Sequence, residues 1–330
     1  MAFLFWTLLA VSGLVLLGWL YEIVQEHLDR RRYPAPGSFV QVADRRMHVF
    51  MQGTASGPSV VIEQGIGSPS ILWWPLQSAI SRFARVITYD RAGYLWSDPA
   101  GGKRTLEDRV TDLYQVLQQG KVSAPYVLVG HSMGGLLIRH FARSHPELVA
   151  GMVLVDSPDE SVIFRDAVMP YYRQGAAMQQ ILGVAAHVGL LRLIGRHLPM
   201  LMLPDDECGY ALCVTPKHAY AAGDDMRSLM NATESSRRPD APGSLADRPL
   251  VLLHHGVPFP PMAAVMEECW AESQQTLASL STNSEIILAK NSGHLIHVDE
   301  PSLVVDAVRR VHAAARDGVH LTHVDAQSPS

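Results

Sequence analysis

A serine at position 132 stands in a setting that can make its hydroxyl a nucleophile. Residues 130–135 read Gly-His-Ser-Met-Gly-Gly and contain the pattern Gly-x-Ser-x-Gly. The pattern follows the apolar run Tyr126–Val129 and precedes a helical stretch, and this order is typical of a nucleophile elbow. We expect glycine at 130 and 134 because side chains there would collide with neighbouring backbone. A helix that begins after Ser132 would also favour negative charge at the site.

With three further segments, this motif makes the chain similar to the α/β-hydrolase family. The segments are Glu63–Ser68 (EQGIGS), Tyr89–Tyr94 (YDRAGY) and Ser292–His294 (SGH). The similarity extends from about Phe39 to Ala315, and the chain looks like the bacterial members with an N-terminal membrane helix. The resemblance implies a mostly parallel, eight-stranded sheet flanked by helices. Within the elbow, the chain differs from proline iminopeptidases at Met133. It also has Ser132 where epoxide hydrolases and haloalkane dehalogenases have an aspartate nucleophile.

The resemblance places the general base late in the chain, because the family order is serine, acid, histidine. Among 15 histidines, His294 follows the last predicted strand in a glycine-containing loop, where the family has its base. His297 is the local alternative. His255, at the end of the preceding predicted strand, is expected to line the substrate site.

The acid that would orient this histidine is harder to assign. The family most often has it just after the strand at Pro249–Leu253, but the next eight residues contain no carboxylate. The family's other position, at the end of the preceding strand, is occupied by Asp156. We therefore assign Asp156, with Asp159 as the alternative. The remaining options are Glu267, Glu268 or a missing acid.

The family's oxyanion hole uses two backbone N–H groups. One belongs to the residue after the nucleophile, which is Met133 here. The other comes from the loop after the third strand, where the donor would be Ile66. Gly65 and Gly67 would let the backbone approach the substrate. No cofactor and no metal are expected.

Short apolar runs bounded by turn residues predict eight strands. These runs are Ser38–Ala43, Met47–Gln52, Ser59–Glu63, Arg85–Tyr89, Tyr126–Val129, Gly151–Val155, Pro249–Leu253 and Glu285–Ala289. Helices are predicted over Thr105–Gln119, with Thr105 as N-cap and Asp108 in the capping-box position, and over Leu136–Ser144 and Ser302–Ala315. The alternation predicts a parallel sheet in one α/β domain over residues 38–316, followed by a tail at 317–330.

A helical insertion interrupts this alternation at about residues 158–247. Apolar stretches replace the strands there: Val162–Met178, Ile181–Leu198 and Lys217–Met230. We interpret the insertion as a lid, with Tyr171, Tyr172, Met178, Met200 and Met202 as candidate substrate contacts. Methionine adapts to varied apolar shapes, although these methionines could equally be core of the lid helices.

The first residues have the length and composition of a membrane anchor. From 2 to 24 the chain is mostly apolar and Glu22 is its first charged residue, and about 20 apolar residues suffice to cross a bilayer. A signal peptide and a buried helix are the alternatives; no basic residue precedes the run, which disfavours a signal peptide. Residues 25–37 are predicted as a linker. Arg30, Arg31 and Arg32 predict that the catalytic domain lies in the cytoplasm.

Composition excludes several other classes of protein. The 330 residues are 48% hydrophobic and 18% charged, which argues against disorder. The net charge of −5 offers no basic surface for nucleic acid, and three cysteines cannot build a disulfide scaffold. The sequence thus predicts a serine hydrolase that cleaves carboxylic esters of apolar or lipid-like substrates and contacts membrane lipid. The alternatives are a thioesterase, a C–C bond hydrolase, a peptidase, or a non-catalytic membrane-bound binding or signalling module.

Overall fold

An eight-stranded sheet forms the centre of the chain. The computed structural model describes residues 1–54, 57–198, 203–259 and 264–321. The strands are β1 (Ser38–Val42), β2 (Arg45–Gln52), β3 (Ser59–Glu63), β4 (Val86–Tyr89), β5 (Tyr126–His131), β6 (Val149–Val155), β7 (Leu250–His255) and β8 (Ser284–Ala289). Their order is β1-β2-β4-β3-β5-β6-β7-β8. Among the described strands, β2 is antiparallel to both β1 and β4 and the other neighbouring pairs are parallel, so the predicted mostly parallel sheet is confirmed.

Helices connect the strands and cover the sheet. They are α1 (Ala2–Arg32), α2 (Trp74–Ile80), α3 (Leu106–Gln119), α4 (Met133–Ser144), α5 (Glu160–Ile163), α6 (Met169–His187), α7 (Leu190–Ile194), α8 (Glu207–Cys213), α9 (Pro216–Met230), α10 (Ala264–Glu267), α11 (Trp270–Ala278), α12 (Ile296–Asp299) and α13 (Pro301–Asp317). At the start of α3, the Thr105 side chain accepts from the Asp108 N–H and the Asp108 carboxylate accepts from the Thr105 N–H. The predicted capping box is therefore confirmed.

Two apolar layers lie on opposite faces of the sheet. Because side chains alternate along a strand, Leu128 joins the layer under α3 and α4, whereas Val127 and Val129 join the layer under α2 and α13. All three are fully buried. Burial on both faces explains why these strands lack the polar alternation of a half-exposed sheet.

Helix α1 is longer than the predicted anchor. It continues past residue 24 to Arg32, so most of the predicted linker at 25–37 is helical. Two acidic side chains hold this second half in place, since Glu22 and Asp29 both pair with Arg192 of the lid. The apolar run therefore predicted where this helix begins but not where it ends.

Helices α5 to α9 form the insertion that we interpreted above as a lid, and we refer to them as the lid. Helix α6 runs without interruption from Met169 to His187 and so joins the two apolar stretches noted above, which end at 178 and begin at 181. The chain turns instead at Gly189, whose φ of 71° suits a residue without a side chain. Helix α9 matches the predicted stretch at 217–230 closely.

Candidate active site

Ser132 occupies a strained turn between β5 and α4. Its φ of 53° and ψ of −125° are unusual for a residue with a side chain. A Cβ at Gly130 would stand 2.6 Å from the backbone of Gly135, and one at Gly134 would overlap the Glu63 carbonyl oxygen. These close approaches agree with the predicted reason for both glycines. Such strain in a non-glycine residue persists where the surroundings impose it, commonly at functional sites.

One edge of the sheet gathers the predicted site residues. Ser132 follows β5, Asp156 follows β6, and His255 ends β7. His294 follows β8, and the loop that begins at Gln64 follows β3. Because β3, β5, β6, β7 and β8 are parallel neighbours, their carboxyl ends meet at this edge.

Asp156 lies between two histidines. Nδ1 of His294 is 2.6 Å from Oδ2 of Asp156, and Nδ1 of His255 is 2.8 Å from Oδ1. The backbone N–H of His255 also donates to Oδ1, at 3.0 Å. Burial by itself raises the pKa of the Asp156 carboxyl, but the hydrogen bonds from His255 and His294 outweigh it and lower the pKa to about 2. The carboxylate is thus ionised at neutral pH.

His294 remains accessible among aromatic rings. Its side chain is 28% exposed, whereas Asp156 is fully buried. The rings of Phe259 and Trp270 lie 5.2 Å and 6.1 Å from the His294 ring. The Nε2 of His131, beside Ser132, is 2.8 Å from the His294 carbonyl oxygen, so the loop after β8 is held against the serine turn. Sequence reasoning missed Phe259 and Trp270, which no motif marks.

His255 differs from its predicted role as a substrate contact. It is buried, and both ring nitrogens face carboxylates: Nδ1 faces Asp156, and Nε2 lies 3.2 Å from Glu267. The physical reason is position, because β7 is next to β6 and the His255 ring points along the sheet edge to Asp156. Burial lowers the pKa of His255, but hydrogen bonding and charge from Asp156 and Glu267 outweigh it, so the net shift is upward.

The alternative acids and the alternative base have other contacts. Asp159 caps α5, where Oδ1 accepts from the Ser161 and Val162 N–H groups. Glu268 faces Arg165. His297 is buried and stacks on Trp73 with ring centroids 4.3 Å apart, and burial lowers its pKa well below the usual value.

The loop that carries Gly65 and Ile66 is fixed from behind by a buried arginine. Arg91 donates to the carbonyl oxygens of Gln64 and Gly65, at 2.6 Å and 2.5 Å. A Cβ at Gly65 would stand 3.2 Å from the Ser132 Cβ, so the loop approaches the serine closely. The loop therefore lies beside Ser132 and Met133 with its backbone held in one position.

The same loop is tied to the lid. The Gly67 N–H donates to the Tyr94 hydroxyl at 3.1 Å, and Tyr94 donates to Asp225 of α9 at 2.5 Å. Asp225 is fully buried and also pairs with Arg91 at 2.7 Å and with Arg109 at 2.8 Å. Sequence patterns gave no signal that Asp225 joins this network, because it lies more than 130 positions from Arg91 and Tyr94.

Only part of the predicted lid lining points inward. Tyr172 is buried and Tyr171 partly buried against the core. Met178 was wrongly predicted as a substrate contact: it is 50% exposed on the outer side of α6, whose inner side is marked by Ala176 and Gly183. The cause is helical phase, which residue type does not reveal. Met200 and Met202 lie outside the described residues.

Comparisons with known proteins agree with this fold. A family model described as "alpha/beta hydrolase fold" matches residues 58–197. The chain is 29% identical to the uncharacterized protein YqjL of Bacillus subtilis over 81% of this chain and 88% of that protein. It is 34% identical to the putative carbamate hydrolase RutD of Yersinia enterocolitica, over 32% of this chain and 38% of that protein.

A solved structure gives the same result. A thermophilic esterase from Thermogutta terrifontis superposes with a TM-score of 0.61 at 20% identity, over 85% of this chain and all of that one. The strand order, the elbow at Ser132 and these similarities define the class. The chain has the α/β-hydrolase fold, and its similarity to this family supports a hydrolase.

Proposed function

We propose that this protein is a serine hydrolase that cleaves carboxylic esters of apolar or lipid-like substrates. The observation that carries the proposal is the common sheet edge, which holds both the strained Ser132 turn and the pair of His294 and Asp156. In that pair, Nδ1 of His294 lies 2.6 Å from Oδ2 of Asp156. A serine hydroxyl needs an adjacent base to act as a nucleophile, and an ionised carboxylate on Nδ1 orients that base.

The proposed reaction passes through an acyl-enzyme. Ser132 Oγ attacks the ester carbonyl while Nε2 of His294 accepts its proton, and the N–H groups of Ile66 and Met133 stabilise the oxyanion. Collapse breaks the bond to the alcohol, which receives the proton from His294. Water, deprotonated by His294, then releases the acid and restores Ser132. Asp156 stays ionised and stabilises the imidazolium throughout.

Two features support an apolar substrate at a membrane. Phe259 and Trp270 give His294 an aromatic wall, and Tyr171 and Tyr172 add aromatic surface in the lid. Helix α1 is long and apolar enough to cross a membrane, and we propose that it anchors the enzyme with the catalytic domain in the cytoplasm. The esterase among the structural neighbours supports ester chemistry.

A fluorophosphonate probe tests the proposal on the full chain in detergent. We expect labelling of the wild type and of Ser144→Ala, an exposed serine at the far end of α4, and none of Ser132→Ala. A panel of esters of increasing chain length, with a thioester, a β-diketone and a peptide amide beside it, tests the substrate class. An unlabelled but folded wild type would refute the hydrolase mechanism, and preferred cleavage of a non-ester would refute the substrate class.

A further inference from the structure

The outer side of the lid is apolar and exposed. We define the outer lid face as six side chains that are 38% to 67% exposed: Met178, Ile181, Val184, Leu190, Leu193 and Ile194. No Asp, Glu, Lys or Arg occurs in the 18 residues from Gln174 to Leu191. Contiguous exposed apolar surface on a folded domain usually marks an interaction site.

The outer lid face adjoins helix α1. A groove of about 530 Å³ lies between them, lined by Val11 and Trp19 of α1 and by Val184 and Val188 of the lid. Helix α1 and the lid approach each other closely at Gly18, where a Cβ would stand 2.5 Å from the Val188 carbonyl oxygen. The turn between α6 and α7, which we call the lid corner, therefore lies beside the apolar half of α1 and not beyond the end of that helix.

Charge pairing keeps the lid corner in this position. Arg192 of α7 turns inward, with Nε 2.6 Å from Glu22 and Nη1 2.6 Å from Asp29. These three side chains are at most 13% exposed, so the contact is largely shielded from water. Arg192 thus directs its charge toward Glu22 and Asp29 in the C-terminal half of α1. The outer lid face remains apolar.

The depth of the contact follows from helix geometry. An α-helix rises about 1.5 Å per residue, so Val11 stands about 15 Å along α1 from Tyr21. That is about half of the ~30 Å hydrocarbon layer that the apolar run of α1 would cross. A lid residue that packs beside Val11 must then lie within the same layer.

We propose that the outer lid face is inserted into the membrane leaflet next to α1, with lipid acyl chains as its occupant. The inference rests on the proposed anchoring by α1. The uncharged lid surface is continuous with the apolar stretch of α1, none of which is buried, and this continuity favours lipid over a second copy of the chain. Because α9 of the lid bonds to the loop beside Ser132 through Asp225, the site is then held against the bilayer, which favours esters dissolved in it.

Photocross-linking to lipid tests this placement. A diazirine amino acid is introduced singly at Ile181 or Leu193 of the full chain, which is reconstituted in phosphatidylcholine vesicles and irradiated. Leu9 in α1 is the positive control, and Leu288, 45% exposed on β8, is the matched control away from the lid. Fluorophosphonate labelling of every variant, or far-UV circular dichroism where no variant is labelled, verifies folding.

We expect phospholipid adducts at 181 and 193 at a yield comparable with position 9 and at least tenfold above position 288. Adducts at position 9 without adducts at 181 and 193 would overturn the inference and leave the anchor intact. Cross-links from 181 or 193 to a second copy would also overturn it. Absence of lipid adducts at position 9 would refute the anchor and the inference together, without touching the serine mechanism.

Discussion

At the scale of single residues, Asp156 is the centre of the site. Its φ of 45° is left-handed, a conformation that aspartate tolerates better than most residues. There its carboxylate receives hydrogen bonds from His255 and His294 at once. Sharing between two imidazoles keeps the carboxylate ionised and fixed, as a residue that orients the base must be.

Replacement of Asp156 tests this assignment. We expect Asp156→Asn to lower kcat on the order of 10⁴-fold, because asparagine removes the charge and favours the wrong tautomer of His294. The measurement is steady-state hydrolysis of a soluble ester. Asp159→Asn, which alters only the cap of α5, is the matched control and should keep most of the activity. The reverse result would move the acid to Asp159.

The sequence predicted more of the site's positions than of its connections. Ser132 and His294 were predicted from a motif and a family order, and Asp156 was predicted because it directly follows a strand at the family's second position for the acid. The role of His255 was not predictable, since it depends on β7 lying next to β6. Phe259 and Trp270 reach His294 only after folding, so local sequence contains no signal for them.

At the scale of elements, a buried charge network joins the lid to the loop after β3. Arg91 touches the Gln64 and Gly65 carbonyl oxygens on one side and Asp225 of α9 on the other. A buried ion pair is costly to break from one side, because the remaining charge stays without a partner. The position of the Ile66 N–H therefore depends on a residue in the lid.

Removal of the lid carboxylate should affect stability and turnover together. We expect Asp225→Asn to lower the free energy of unfolding by about 3–5 kcal/mol, because Arg91 and Arg109 lose their shared counter-charge. Denaturant unfolding and ester turnover measure the two effects. Asp224→Asn is the neighbouring control: its pair with Arg227 is one-third exposed and should change stability by less than about 1 kcal/mol. Equal effects of both variants would argue against the network.

Helix phase marks the limit of prediction at this scale. The ends of strands and the capping box at Thr105 followed from local residue types. The inner and outer sides of α6 did not, because all sides of that helix are rich in small and apolar residues. Met178 was therefore assigned inward although it faces outward.

At the scale of the whole molecule, α1 is both a candidate anchor and a packed part of the fold. Its first half is exposed, and its second half is fixed to the lid through Glu22, Asp29 and Arg192. Composition hinted at this arrangement: the chain is only 18% charged, and the outer lid face supplies one uncharged surface. The contact itself joins residues about 165 positions apart and could not be predicted.

Loss of the Arg192 contact should loosen α1 from the lid. We expect Arg192→Gln to deprive Glu22 and Asp29 of the cation that they share and to increase amide hydrogen exchange in α7 and in residues 18–32 at least tenfold. Arg196→Gln is the control. Arg196 is exposed, and its guanidinium carbon lies 4.1 Å from the ring centroid of Tyr210, another lid residue. Unchanged protection in Arg192→Gln would show that apolar packing alone holds the helices together.

In the proposed reaction, Ser132 carries the acyl group during ester hydrolysis. Rapid acid quenching of the full chain during turnover of a p-nitrophenyl ester, followed by peptide mass spectrometry, measures this directly. We predict a mass increment equal to the acyl group on the peptide that contains Ser132, and its loss in Ser132→Ala. Continued hydrolysis by Ser132→Ala at the wild-type rate, or an acyl group on a different residue, would contradict the account.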